Sequence, residues 1–199
     1  ITDPSPRTNF YTDDERNNIF PAGVELETIW KDIRSEGYTL YESLPDKNIN
    51  YLDSYNINLG SETKRNWTTI PLRLFGCDSP EYMAKCPVLS SMLLLHPEIK
   101  SCLFSIMDPG KIIQPHVGPY DGLIRYQLAL DIPEDGECYL HVGGEKYYWI
   151  EGEGVLFDEA NLHGAVNTTQ NKRMVLLIDI ERPYSLLPYR LLNTIIITC

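Results

Sequence analysis

The sequence predicts a mostly β fold with flanking helices, an antiparallel sandwich or small barrel, on three observations. From Ser101 onward, short β-prone runs recur at about ten-residue spacing, the habit of sandwiches and barrels. Turn chemistry separates them at Pro109-Gly110, Gly118-Pro119, Asp135-Gly136, Gly143-Gly144 and Gly152. The first half carries helical periodicity instead, which sets helices over one sheet face. At 199 residues the chain suffices for one domain with a real core. Within 1–199 we expect an extended lead-in over 1–20, helices and loops covering the barrel over 21–100, barrel strands over 101–183 and a tail over 184–199.

Taken in order, residues 1–20 are polar, with prolines and paired acids. From Ala22 to Glu36, Val24, Ile29, Trp30 and Ile33 recur near the helical period, and Gly37 follows as a stop. The Asn-, Asp-, Ser- and Gly-rich stretch from Asp46 to Thr69 reads as loops around short strands. Pro87 to Leu95 reads as a second helix opened by its proline. Strands are expected near 102–107, 124–131, 137–142, 145–150, 153–157 and 173–181. The apolar end from Leu186 to Cys199 is broken by Pro188, Arg190 and Asn193, so it reads as a packing or fraying end.

Hydrophobic content of 43% and charged content of 23% are ordinary for a globular protein. A formal net charge of −11 repels phosphate backbones, so no nucleic-acid partner is expected. No run of about 18 apolar residues occurs, so no membrane-spanning helix is expected. No charged-then-apolar signal segment opens the chain. Because it starts at Ile1, we expect a piece trimmed from something longer. A cytoplasmic location is favoured, and a lumenal one stays open if a missing N-terminus carries a targeting segment. Five cysteines without a CxxC pair argue against zinc. Cys77 and Cys86 either close a short disulfide or remain free thiols, depending on compartment.

Four histidines are present, His96, His116, His141 and His163. His116 precedes one expected strand and His163 follows another, which puts both at sheet ends where a barrel mouth places ligands. Imidazole suits Fe(II). Two loop histidines also read as ordinary polar surface, and what adds weight is Arg173. It opens the apolar strand Arg-Met-Val-Leu-Leu-Ile-Asp-Ile, where a buried guanidinium needs an anion. Its planar fork matches a carboxylate. Arg125, heading Ile-Arg-Tyr-Gln-Leu-Ala-Leu, poses the same question, and the competing reading for both is an internal ion pair to one of the 28 acidic residues. His96 reads as a helix cap or surface residue, and His141 as facing solvent or a neighbouring strand. Asp121 and Asp158 are weighed as a third ligand or, the favoured reading, as turn residues or partners that orient the ligands.

The stretch Phe104-Ser105-Ile106-Met107-Asp108-Pro109-Gly110, then Gln114-Pro115-His116-Val117-Gly118-Pro119-Tyr120, resembles the aspartyl/asparaginyl β-hydroxylase family. So does Gly154-Val155-Leu156-Phe157-Asp158-Glu159 followed by His163 and Arg173. The resemblance is dense from Trp67 to Pro183 and thinner upstream, and several motifs in order are far more specific than one short pattern. It implies a double-stranded β-helix (a jelly-roll, cupin-like barrel) that uses Fe(II), 2-oxoglutarate and O₂ to hydroxylate a C–H bond. It implies His116 and His163 as iron ligands, and Ser105, Arg125 and Arg173 as cosubstrate-binding residues. Arg173 would take the distal carboxylate. Gly118 stands where most 2-oxoglutarate oxygenases carry an Asp or Glu, a carboxylate this family lacks.

Two departures bear on function. Gln127 replaces a histidine of the named β-hydroxylase, yet its amide still donates to a carboxylate. Leu123 stands where that enzyme has an arginine suited to an acidic substrate, which weakens the case for Asp or Asn hydroxylation. The family also resembles lipid A hydroxylases, so a protein, lipid or small-molecule substrate stays open. Two other readings are carried forward. One is a non-catalytic binding or scaffold module on the same barrel, disfavoured by the joint presence of both histidines and Arg173. The other is iron-dependent halogenation, for which Gly118 leaves room.

Overall fold

The structure, a computed structural model, describes residues 7–47, 66–118, 120–184, 187, 188 and 193. Among the described residues, ten strands form two antiparallel sheets. In chain order they are β1 (Trp67–Leu74), β2 (Cys77–Asp78), β3 (Ile99–Met107), β4 (Lys111–His116), β5 (Leu123–Asp131), β6 (Cys138–Val142), β7 (Glu145–Tyr147), β8 (Gly154–Phe157), β9 (His163–Asn167) and β10 (Arg173–Glu181). The six-stranded sheet runs β2-β1-β3-β10-β5-β8 and the four-stranded sheet runs β4-β9-β6-β7. From β3 to β10 the chain winds back and forth between the two sheets, which is the double-stranded β-helix. Among the described residues no helix is long and apolar enough to cross a membrane.

Side-chain alternation along the central strands builds two cores. Cys102, Phe104 and Ile106 of β3, Ile124, Tyr126 and Leu128 of β5, and Met174, Leu176 and Ile178 of β10 face outward. Helices cover that face with Phe20, Leu26, Ile33, Leu40, Leu89 and Leu93. Leu103, Met107, Ala129, Val175 and Leu177 face inward, packing between the sheets against Ile113, Leu140 and Ala165.

Among the described residues, the helices that pack on the barrel are α1 (Asp13–Ile19), α2 (Ala22–Thr28), α3 (Trp30–Glu42), α4 (Pro80–Met83) and α5 (Pro87–Leu95). Helix α1 sits inside the expected lead-in and is started by a Thr12/Glu15 capping box. The chain just before it is extended, with Phe10 bridging Phe157. The single helix expected over Ala22–Glu36 is two helices that meet at Ile29. There the Thr28 hydroxyl donates back to the Glu25 carbonyl at 2.7 Å, a bond that competes with the helical ladder. Gly37 does not stop α3, which continues to Glu42. A Cβ on Gly37 would stand 2.6 Å from Phe104 Cε1, so the glycine is what lets the helix lie close on the sheet. Pro87 does open α5, and its next two backbone N–H groups donate to the Glu36 carboxylate of α3 at 2.6 and 3.0 Å.

Strands β1, β2, β4 and β9 lie outside the runs expected from sequence. In β1, Pro71 is tolerated because β2 pairs only with Arg73 and Leu74, leaving an open edge beside the proline. The strand expected over 145–150 ends at Tyr147. Cys86 is a buried free thiol, so the short Cys77–Cys86 disulfide is not made. Most of the stretch from Asp46 to Thr69 and of the tail from Leu186 lies outside the described residues.

Candidate functional site

Strand register brings the two histidines together. His116 ends β4, His163 begins β9, and the two pair directly across the ladder. Their ring centroids are 4.4 Å apart. Each ring uses Nδ1 against a backbone carbonyl two residues earlier, His116 to Gln114 and His163 to Asn161, both at 2.9 Å. A carbonyl only accepts, so both Nδ1 atoms carry the proton and both Nε2 atoms present a lone pair. Burial drives the His163 pKa down to about 3, helped by the neighbouring His116 ring and Arg125. Burial likewise holds His116 below the ordinary histidine value. Two neutral imidazoles with free Nε2 lone pairs, oriented through Nδ1, are the form that ligates a metal ion.

The cavity beside them is lined by His116, His163, Ser105, Arg125, Gln127 and Arg173. All but the histidines occupy inward positions of β3, β5 and β10. It is narrow, about 30 Å³, so a five-carbon dicarboxylate would require neighbouring side chains to shift. Two residues not singled out from sequence hold its polar groups. Trp67 Nε1 donates to Ser105 Oγ at 2.9 Å, and Trp149 Nε1 donates to Gln127 Oε1 at 3.1 Å.

The two arginines differ sharply. Arg125 donates to both oxygens of Asp179, its cross-strand partner, at 2.7 and 3.0 Å. Its Nη2 also lies 2.7 Å from Glu159 Oε2, an ion contact without hydrogen-bond alignment, so both Glu159 oxygens lack a donor among the described residues. Those two carboxylates hold the Arg125 pKa above its usual value despite burial. Arg173 is 2% exposed, and no carboxylate among the described residues pairs with it. Its Nη1 reaches the Ser105 carbonyl only at 3.5 Å, its Nη2 contacts the Met107 sulfur, and its Nε has no partner. The Trp149 ring lies 4.9 Å beneath the guanidinium. Desolvation pulls its pKa down to about 10.

The remaining candidates fall outside the cavity lining. Leu123 is buried, and its carbonyl accepts from Arg182 at 3.2 Å. The Gly118 N–H donates to the Glu159 carbonyl at 2.8 Å. A Cβ on Gly118 would meet Glu159 Cδ at 2.8 Å, so the Glu159 side chain fills the space beside that glycine. Asp158 is committed to Arg182 and exposed Asp121 to Arg7 and Arg182, so neither reads as a ligand. His96 pairs with Glu98 and Glu25. His141 faces Gly164 of the neighbouring strand, as its position on a strand suggested. No cluster of three or more His, Cys, Asp or Glu side chains suited to a metal occurs among the described residues.

Strand order and an imidazole pair inside the barrel define a cupin-like jelly-roll protein. Comparison with known proteins narrows this further. The chain belongs to the aspartyl/asparaginyl β-hydroxylase family, whose model matches residues 27–183. It is 33% identical to an ornithine lipid ester-linked acyl 2-hydroxylase of Rhizobium tropici over 82% of this chain and 58% of that protein. It is 28% identical to human aspartyl/asparaginyl β-hydroxylase over 79% of this chain and 21% of that protein. It is 32% identical to aspartate β-hydroxylase domain-containing protein 2 of Xenopus tropicalis over 79% of this chain and 44% of that protein. The chain thus spans less than two thirds of each of these relatives. Among solved structures, a cupin 2 conserved barrel protein from Salinispora arenicola is similar at 16% identity and a TM-score of 0.39, over 67% of this chain and 87% of that one.

Proposed function

We propose that this domain is an Fe(II)- and 2-oxoglutarate-dependent dioxygenase that hydroxylates an unactivated C–H bond. The observation that carries this is Arg173, a buried guanidinium with an orphaned Nε and no carboxylate partner among the described residues, in the same cavity as two neutral imidazoles. A buried unpaired cation is costly, and a dicarboxylate cosubstrate would relieve it. His116 and His163 would hold the metal through Nε2. Arg173 would take the distal carboxylate, with the Ser105 hydroxyl and the Gln127 amide as further donors. The bound metal, 2-oxoglutarate and O₂ would supply the oxidising power, one oxygen atom going to substrate as succinate and CO₂ leave.

The protein's own part is orientation and exclusion of water. The Gln114 and Asn161 carbonyls fix the imidazole tautomers, and the inward side chains of β3 and β10 close the base of the cavity. One observation favours an uncharged group at the reacting carbon over an acidic side chain. Arg125 is already neutralised by Asp179, so beyond Arg173 the cavity lining offers no spare cation for an acidic side chain. An acyl chain, as named for the Rhizobium relative, is such a group.

Anaerobic addition of Fe(II) and 2-oxoglutarate to apo protein tests this reading. A weak visible metal-to-ligand charge-transfer band is expected, and it should be lost in His116→Ala. A folded protein that shows no band with iron in excess would leave the non-catalytic barrel as the better reading.

A further inference from the structure

We infer that Trp149 is a positioning residue that sets the polarity of the anion pocket, turning the Gln127 amide so that its NH₂ faces the cosubstrate. The inference rests on the dioxygenase reading above.

An amide has a donor end and an acceptor end, and a glutamine at a carboxylate site is useful in only one of its two orientations. Gln127 lies on the inward face of β5, 7% exposed, and lines the cavity with Arg173 and both histidines. Its Oε1 accepts from Trp149 Nε1 at 3.1 Å. An indole N–H donates and has no acceptor, so the amide oxygen must be the atom that meets it. Turning the amide over would set NH₂ against N–H and lose the bond. The NH₂ is therefore left over, and no described residue accepts from it.

The same indole serves the other donor. The Arg173 guanidinium lies over the Trp149 ring at 4.9 Å, a cation–π contact that partly offsets burial without using any N–H. Trp149 does not line the cavity, and it is 5% exposed in the inter-sheet core. From behind, one side chain touches two pocket residues and leaves both with unspent donors. Ring and N–H thus have separable roles, the ring supporting Arg173 and the N–H orienting Gln127.

The experiment is calorimetric titration of 2-oxoglutarate into protein loaded with Mn(II) in place of iron, which reads binding without turnover. Trp149→Phe keeps an aromatic face under Arg173 and removes the N–H. Its affinity should fall about tenfold or more, since hydrogen bonds to charged groups are worth roughly that. In a Gln127→Ala background the same substitution should have little further effect, whereas a purely structural Trp149 would cost the same in both. Equal loss in both backgrounds, or no loss in either, overturns the inference while leaving the dioxygenase reading intact. Wild-type protein that does not bind 2-oxoglutarate overturns both. Should Trp149→Phe fail to fold, Gln127→Glu carries the test. With the indole holding one carboxylate oxygen, the other faces the anion and affinity must collapse, and unchanged affinity would overturn the proposal.

Discussion

The two faces of the six-stranded sheet are equally buried and chemically opposite. The outward rows of β3, β5 and β10 are apolar except for Tyr126, whose hydroxyl donates to Glu27 at 3.0 Å. The inward rows, one residue out of step on the same strands, hold Ser105, Arg125, Gln127, Arg173 and Asp179. Burial of both faces rules out solvent as the reason for that polarity, so each inward group must be matched inside the protein or kept for something that enters. Arg125 and Arg173 show the two answers. One is paired with the Asp179 carboxylate and flanked by Glu159, and the other meets no carboxylate among the described residues. Polarity on a face that should be oil marks the site more sharply than any single motif.

The largest expected effect comes from the matched arginine. Arg125→Leu leaves the Asp179 carboxylate buried without its cation, and chemical denaturation should show a loss of about 3–5 kcal/mol. Next comes Glu159. Burial and the nearby Asp179 charge outweigh Arg125 and raise its pKa to about 8. The folded state therefore holds a proton that the unfolded state has released from about pH 4.5 upward. This group's contribution is full below the ordinary carboxylate range and is lost as pH rises through neutrality. Glu159→Gln should flatten that part of the stability-against-pH curve, and an unaltered slope would place the titration elsewhere.

On the outward face the test is steric. Gly37→Ala improves helix propensity by about 1 kcal/mol. It nevertheless drives a methyl into Phe104 and should destabilise by about 1–3 kcal/mol in a thermal or urea melt. The smallest effect on stability should come from the unmatched arginine. Arg173→Met removes a charge that no carboxylate balances, so the apo protein should change by less than about 1 kcal/mol or gain. Near-equal losses for Arg125→Leu and Arg173→Met would erase the contrast between them.

Much of this was legible in the sequence, and the remainder depended on register. The runs of β5 and β10 stood out by residue type, and His116, His163 and Arg173 by their places beside them. Strands β4 and β9 did not, because Gln114-Pro115-His116 and His163-Gly164-Ala165 have little intrinsic β character, and β9 is held as a strand by β4 on one side and β6 on the other. Asp179 shares its inward parity with Arg173, a signal available from β10 alone, but its bond to Arg125 required the β5–β10 register. Trp149 lies in an irregular segment after β7, and nothing local marks it as reaching Gln127 and Arg173. Gly37 read as a helix stop because local propensity says so, and packing against Phe104 overrides it.

The most direct test of the central claim is a thermal-shift series in 2-oxoglutarate with Mn(II) present, run on wild type and Arg173→Met. A ligand that binds only the folded state raises Tm with concentration. The wild type should climb steadily with 2-oxoglutarate while Arg173→Met, folded and equally stable without ligand, stays flat. Parallel rises in both proteins would show that the unmatched guanidinium is not the anion receptor, and the account of the inward face would fail with it.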